Sequence, residues 1–329
     1  MGARAPVVSR EVWASGGGGT KTQLVKTVLI TGGSGFIGKR LSQELLRRGD
    51  RVTVLTRDAE KARGKVAPGV RVAGWTPGKE GPWFDELDKV DAVVHLAGEV
   101  VAQRWSDAKK REIEASRVGS TERLVEAIGR AKHRPKVLVN ASATGFYGSR
   151  DPQEELDETS SRGSGFLAEL VEKWEAAAKG AEAHGVRTAM VRIGVVLGKG
   201  GGALEKMVPA FKLFVGGPIG SGSQIYSWVH IDDVVGLMLL AIDDDRVSGP
   251  INATSPYPAS AGELAKTIGA TLNRPSFFKV PKAIVGAMLG EAAEIVTESQ
   301  RVLPRRAIEL GYEFRHARLV PAIESILGS

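Results

Sequence analysis

Cysteine is absent from all 329 residues, which excludes a disulfide framework, a thiol nucleophile and a cysteine zinc ribbon together and fits a reducing compartment. No apolar run approaches the ~20 residues a membrane span needs, and the N-terminal stretch lacks the hydrophobic region of a secretory signal. Neither a long basic run nor an aromatic-basic repeat occurs, so nucleic acid is not an expected partner. Much of the net charge of +7 sits at the start, where Arg4, Arg10, Lys21 and Lys26 face one acid, Glu11. The remaining excess reads as a solvated surface that also attracts an anionic ligand. No internal repeat is visible either.

What is plentiful is glycine, 41 residues of it, within an otherwise ordinary globular composition of 42% hydrophobic and 25% charged residues. Residues 1–25 read as a flexible leader ending its low-complexity part at Gly16 to Gly19, the remnant either of an organellar transit peptide or of cloning. From Lys26 a strand-turn-helix rhythm begins. Val28-Leu29-Ile30 is a continuous apolar run, as a strand covered on both faces requires, and Leu41, Leu45 and Leu46 follow at helical spacing until Gly49. Further strands are predicted at Val52 to Leu55, Ala92 to Leu96, Lys136 to Asn140 and Thr188 to Val191, with helices at Ser116 to Ala131 and Phe166 to His184. This alternation predicts an α/β fold: a doubly wound parallel Rossmann sheet over residues 26–198, with ligands at the carboxyl ends of the strands. Residues 199–329 are expected to form a smaller, mostly helical lobe for substrate or partner, with a strand or helix returning to the Rossmann domain. Within it, Met207 to Phe214 has the spacing of a helical lid, punctuated by Gly216-Gly217-Pro218.

Thr31-Gly32-Gly33-Ser34-Gly35-Phe36-Ile37-Gly38 lies between the first strand and its helix. In that setting Gly32 makes the turn, Gly35 lets the backbone approach a pyrophosphate and Gly38 permits close helix packing, while Phe36 and Ile37 open the helix whose amides attract phosphate. The second strand ends Leu55-Thr56-Arg57. A cation there meets a ribose 2′-phosphate where an acid would bind a 2′-hydroxyl, so NADP(H) is favoured over NAD(H). Asp58 follows immediately and weighs against that choice; Arg40 is a second cation on the same side. Trp105, Tyr226 and Trp228 are read as either pocket wall or core.

The glycine motif, His95-Leu96-Ala97-Gly98 and Ser142-Ala143-Thr144-Gly145-Phe146-Tyr147-Gly148 together resemble the extended short-chain dehydrogenase and NAD-dependent epimerase superfamily. Gln103 to Ser106, Glu114 to Arg117, Arg192 to Gly198, Ser227 to Asp233 and Val302 to Arg306 are similar to an atypical branch of it, whose members carry a C-terminal domain of unknown function and occur in bacteria, mitochondria and plastids. The resemblance is strongest to plastid and cyanobacterial members. It implies that Leu96, Ala97 and Gly98 pass the adenosine side of the cofactor and Ile193 the nicotinamide side. It also implies a Tyr-x-x-x-Lys pair on the helix after the Ser strand, where the Lys lowers the Tyr pKa for proton exchange with substrate. Here Phe166 or Leu167 begins that spacing and Leu170 or Val171 ends it, and Lys173 falls on another helical face. Ser142, Thr144 and Tyr147 are the remaining catalytic candidates. His230 with Asp232-Asp233 has the look of a charge relay, but the resemblance places it at a helix start where Asp caps the end. Two functions are expected: an NADP(H)-dependent oxidoreductase or epimerase acting on a small carbonyl or hydroxyl substrate, or a non-catalytic NADPH sensor or assembly protein with an unidentified protein partner. No metal is expected. The expected location is the plastid stroma, or the cytoplasm for a bacterial chain.

Overall fold

The computed structural model describes residues 25–328, so the expected leader lies outside the described residues except for Val25. The strands β1 Thr27–Thr31, β2 Arg51–Thr56, β3 Arg71–Gly74, β4 Ala92–His95 and β5 Val137–Ala143 are followed by β6 Glu155–Leu156, β7 Arg187–Ile193, β8 Val195–Gly198, β9 Ile225–Tyr226, β10 Trp228–His230 and β11 Gly249–Ala253. Among the described residues, seven of them form one sheet in the order β11-β7-β5-β4-β1-β2-β3, all parallel. The order reverses beside β1, with β4 on one side and β2 on the other. An open parallel sheet binds ligands at such a point, beyond the strand ends.

Alternation within strands divides the core between two layers. Val28 and Ile30 of β1 face one cluster with Val52, Val54, Ala92, Val94 and Val139, while Leu29 faces the other with Leu55, Val93 and Leu138. Helices cover both faces: α1 Phe36–Arg47, the short α2 Ala59–Arg63, α3 Asp107–Glu114, α4 Ser120–Arg130, α5 Phe166–Lys179, α6 Gly202–Lys212, α7 Ile231–Asp243 and α8 Ala261–Leu272. The helix expected from Ser116 begins earlier, at Asp107, because the Ser106 hydroxyl accepts from the Lys109 amide and caps it. It then runs through a π-helical turn at Ala115–Gly119 into α4.

Beyond residue 198, α7 is buried along most of its length and packs in the same core as α1, and β11 extends the sheet beside β7. Pro250 is tolerated in β11 because that strand is an edge. Of the other later elements, α6, α8 and the helix Leu319–Leu327 share a separate apolar cluster with Tyr226 and Trp228. The predicted lid helix spans Gly202–Lys212 with Pro209 inside it, and Phe214 follows at a positive φ of 64°.

Candidate functional site

Three glycines shape the turn between β1 and α1 in different ways. Gly32 has φ +67°, and a Cβ on it would lie 2.8 Å from the Leu96 carbonyl carbon. A Cβ on Gly38 would lie 2.5 Å from the Gly33 Cα and 2.6 Å from the Gly32 oxygen, so the helix sits on the turn too closely for any side chain. Gly35 is different: its Cβ would meet only the Gly32 oxygen, at 3.1 Å. The fold therefore leaves open the outward side of Gly35. Gly35 is also the N-cap of α1, with no side-chain cap and no acid in the first turn, so the amides there keep their donors for a ligand.

A cleft of about 500 Å³ opens on this turn. It is lined by Gly32, Gly35, Phe36, Ile37, Gly38 and Leu96 together with Val100, Val101, Ala141, Val196, Gly202 and Ala203. None of these side chains ionises. Ala97 and Gly98 follow Leu96 in the chain but do not line the cleft, and neither does Ile193 at the end of β7. The strip Gly198 to Gly202 closes over the start of α1: a Cβ on Gly198 would come to 2.7 Å from the Phe36 ring, so the glycines make room for that ring. The sequence reading missed this strip, although its glycine content was the available signal.

A buried chain of hydrogen bonds fixes the wall. His95 is fully buried, with Nδ1 2.6 Å from the Thr31 hydroxyl and Nε2 3.2 Å from the Ser120 hydroxyl. Ser120 donates to the Ser116 carbonyl at 2.6 Å, so it accepts from Nε2–H, and Nδ1 accepts from Thr31. Thr31 Oγ1 in turn accepts from the Leu96 and Ala97 amides at 3.2 and 3.3 Å. Burial, then the nearby Arg117 cation, pushes the imidazole pKa down to about 3. The unfolded chain takes up this proton near pH 6.5, whereas the folded chain does so only near pH 3. The contribution is therefore complete above pH 6.5 and falls by about 1.4 kcal/mol per pH unit as pH drops toward 3. Urea titrations at pH 7 and pH 5 should record this loss, and His95→Gln should flatten it.

The residues expected to choose the cofactor divide clearly. Arg57 is exposed directly after β2, and its side chain makes no hydrogen bond or ion pair among the described residues. The Asp58 carboxylate accepts from the Lys61 amide at 3.0 Å and caps α2, so it is turned to a helix rather than to a ribose. Arg40 is not a second cation at this place: its Nε donates to Asp232 at 2.7 Å and ties α1 to α7.

Ser142 and Tyr147 belong to a buried network. Ser142 Oγ donates to Glu175 Oε1 at 2.6 Å, and the same carboxylate accepts from Arg192 Nε and Nη2, each at 2.8 Å. Arg192 Nη1 donates to the Tyr147 hydroxyl at 3.0 Å, which donates to Asn252 Oδ1 at 2.8 Å. Arg192 also stacks on Phe146, 3.6 Å from its centroid. Tyr147 has no exposed surface, and burial raises its pKa to about 12 against the opposing pull of Arg192. Both hydroxyls thus point into the protein. Thr144, also buried, opens the short turn to Tyr147 and does not line the cleft. Tyr147→Phe is expected to destabilise the fold by about 1–3 kcal/mol through the unpaired Asn252 oxygen, readable by chemical denaturation.

One expectation is corrected here and several open alternatives are decided. His230, not Asp, caps α7, its Nδ1 accepting from the Asp232 amide at 3.1 Å. Asp233 accepts from the Arg315 and His316 amides at 2.8 and 3.0 Å, which anchors the C-terminal segment instead of forming a relay. His230, Asp232 and His316 have ligand atoms within 4.8 Å of one another. The two imidazole rings are stacked with centroids 3.7 Å apart, and Asp232 Oδ1 is paired with Arg40, so the group ties α1, α7 and the C-terminal segment together. Trp105, Tyr226 and Trp228 are core residues rather than walls of the cleft. Lys173 pairs with Glu114 at 2.8 Å on the surface.

Residues 28–254 match the model of the NAD dependent epimerase/dehydratase family, and residues 280–326 match a domain of unknown function (DUF1731). The chain belongs to the NAD dependent epimerase/dehydratase family. Among its relatives is the chloroplastic epimerase family protein SDR39U1 homolog of Arabidopsis thaliana, 43% identical over 303 residues, 92% of this chain and 86% of that one. Epimerase family protein YfhF of Bacillus subtilis is 33% identical over 300 residues, covering 91% and 97%. The crystal structure of human epimerase family protein SDR39U1 (isoform 2) with NADPH superposes with a TM-score of 0.80 at 36% identity, over 92% of this chain and 99% of that one. A Bacillus cereus UDP-glucuronic acid 4-epimerase, at 16% identity and TM-score 0.74 over 91% and 96% of the two chains, shares the fold.

Proposed function

We propose that this chain binds NADP(H) along the strand ends, with the pyrophosphate on the uncapped start of α1 and the 2′-phosphate on Arg57, and that it does so without the acid-base pair used by its superfamily. One observation carries the reading: the cleft at the glycine turn has no ionisable side chain, while the hydroxyls of Ser142 and Tyr147 are held in an inward network. Fold and function are separable, and this arrangement favours sensing or assembly over turnover. The human relative crystallised with NADPH supports the choice of cofactor. A turnover reading, as oxidoreductase or epimerase on a small carbonyl or hydroxyl compound, is favoured by the apolar wall of Val100, Val101, Ala141 and Val196, which leaves room beside a nicotinamide.

The two readings separate in one assay. NADPH fluorescence should change on binding, and a screen with carbonyl compounds and quinones then reads oxidation. Binding without oxidation supports the sensor, and steady oxidation with any acceptor overturns it. Arg57→Ala should weaken NADPH roughly tenfold and leave NADH nearly unchanged, as calorimetry would read; equal losses would remove Arg57 from the 2′-phosphate. No helix among the described residues is long and apolar enough to cross a membrane. The chloroplastic relative favours the plastid stroma, and the bacterial relatives leave the cytoplasm as the alternative.

A further inference from the structure

Asp233 does more than anchor the C-terminal segment. By taking the Arg315 and His316 amides at 2.8 and 3.0 Å, it sets the His316 imidazole at the start of α7, stacked on His230 and facing Asp232. Among the described residues, no other trio of His, Asp or Glu side chains brings its ligand atoms within 4.8 Å of one another. The sequence alone does not announce this group, because His316 is remote from the other two. His230 Nδ1 and His316 Nε2 each stand 3.9 Å from Asp232 Oδ2. That is too long for a hydrogen bond. It exceeds by about half an ångström the roughly 3.3 Å between two ligands of a tetrahedral ion with bonds of about 2.0–2.1 Å.

The groups are also in the protonation state that an ion needs. Burial, then the neighbouring His316, lowers the His230 pKa to about 4, so this imidazole is neutral at pH 7. Burial opposes the Asp232 charge, but the hydrogen bond and charge of Arg40 outweigh it and hold that carboxyl below its ordinary pKa. Arg40 takes only Oδ1, at 2.7 Å, which orients the carboxylate and leaves Oδ2 facing the rings. The His316 ring makes no hydrogen bond among the described residues, so turning it toward an ion breaks none. His230 Nδ1 accepts from the Asp232 amide at 3.1 Å, and an ion at that nitrogen replaces one cap bond by a coordinate bond. The side chains of His316 and Asp232 remain 22% and 20% exposed, which gives an ion entry and a water ligand room.

We propose that His230, Asp232 and His316 form a binding site for a zinc-class divalent transition metal, completed by water. Two imidazoles and one carboxylate suit that class, whereas magnesium and calcium prefer oxygen ligands throughout. The ion clamps the segment leading into the helix Leu319–Leu327 onto the start of α7. Through Arg40 it also braces α1, whose glycine turn borders the cleft. Its role is structural, and it stands independently of the NADP(H) reading.

The test uses the untagged, chelator-treated full chain at pH 7, titrated with zinc chloride by calorimetry, with magnesium chloride as the comparison. The same samples are melted with and without zinc. Saturable binding of zinc and a raised melting temperature are expected, with no saturable binding of magnesium. His316→Ala and Asp232→Asn should each weaken zinc at least about tenfold, whereas His133→Ala, at an exposed histidine away from the group, should leave its affinity unchanged. Absence of saturable zinc binding overturns the proposal, as does unchanged zinc affinity in either His316→Ala or Asp232→Asn. An equal loss in His133→Ala also overturns it, because the ion would then be held elsewhere. All variants are melted without metal first. Should Asp232→Asn fail to fold for want of its pairing with Arg40, His316→Ala decides, since it removes no side-chain hydrogen bond and keeps the backbone amide on Asp233.

Discussion

Gly35→Val is expected to weaken NADPH binding at least about a hundredfold, about 2.7 kcal/mol, in a chain that still folds. The reason lies in what the new side chain meets. Inside the protein it approaches only the Gly32 oxygen at 3.1 Å, a contact that a shift of a few tenths of an ångström relieves. Outside it fills the space over the uncapped amides of α1, where the pyrophosphate is placed. Gly38→Val provides the contrast: the clash with Gly33 Cα at 2.5 Å is against backbone, so this variant should lose stability along with binding. Thermal melting and NADPH calorimetry on both variants check the pair of outcomes. Unchanged NADPH affinity in Gly35→Val would take the glycine turn out of the site.

Glu175→Ala is expected to cost about 3–5 kcal/mol of stability, because it leaves Arg192 buried without its counter-charge and Ser142 without an acceptor. NADPH affinity of the folded variant should stay within about threefold of the parent, since no member of the pair lines the cleft. Denaturant titration measures the first quantity and calorimetry the second. A loss below about 1 kcal/mol would show that the pair is no strut, and a collapse of NADPH affinity without loss of stability would return Ser142 and Tyr147 to the ligand-binding groups.

The parts of the site that could be read from residues alone were the local ones. Strand, glycine spacing and helix start all fall within Thr27 to Arg47, so the turn was legible from one stretch of chain, and Arg57 was proposed from its place directly after β2. The role of Asp58 was hidden because an N-cap is recognised only once α2 is known to begin there. The pairing of Glu175 with Arg192 joins α5 to β7, and nothing in the spacing of either announces it. The π turn was illegible for another reason: Ser116, Ser120 and Thr121 read as ordinary polar helix positions, and only the structure shows their hydroxyls taking up its carbonyls. The edge strand β11 was disguised by Gly249 and Pro250, which argue against a strand everywhere except at an edge.

The resemblance carried the reading of the catalytic helix further than geometry alone. It set Phe166 or Leu167, and Leu170 or Val171, against a phenol and an ammonium, and the structure adds where the Ser142 and Tyr147 hydroxyls lie. Ser142 now binds Glu175, and Tyr147 is sealed under Phe146 and Arg192. Both hydroxyls are therefore part of the core in this structure.

Titration calorimetry of the purified full chain with NADPH and with NADH, under identical salt, tests the central claim most directly. Saturable binding of NADPH, at least about tenfold tighter than NADH, is the predicted result, because only NADPH offers a 2′-phosphate to Arg57. Heat from neither dinucleotide, or equal affinity for both, would contradict the account.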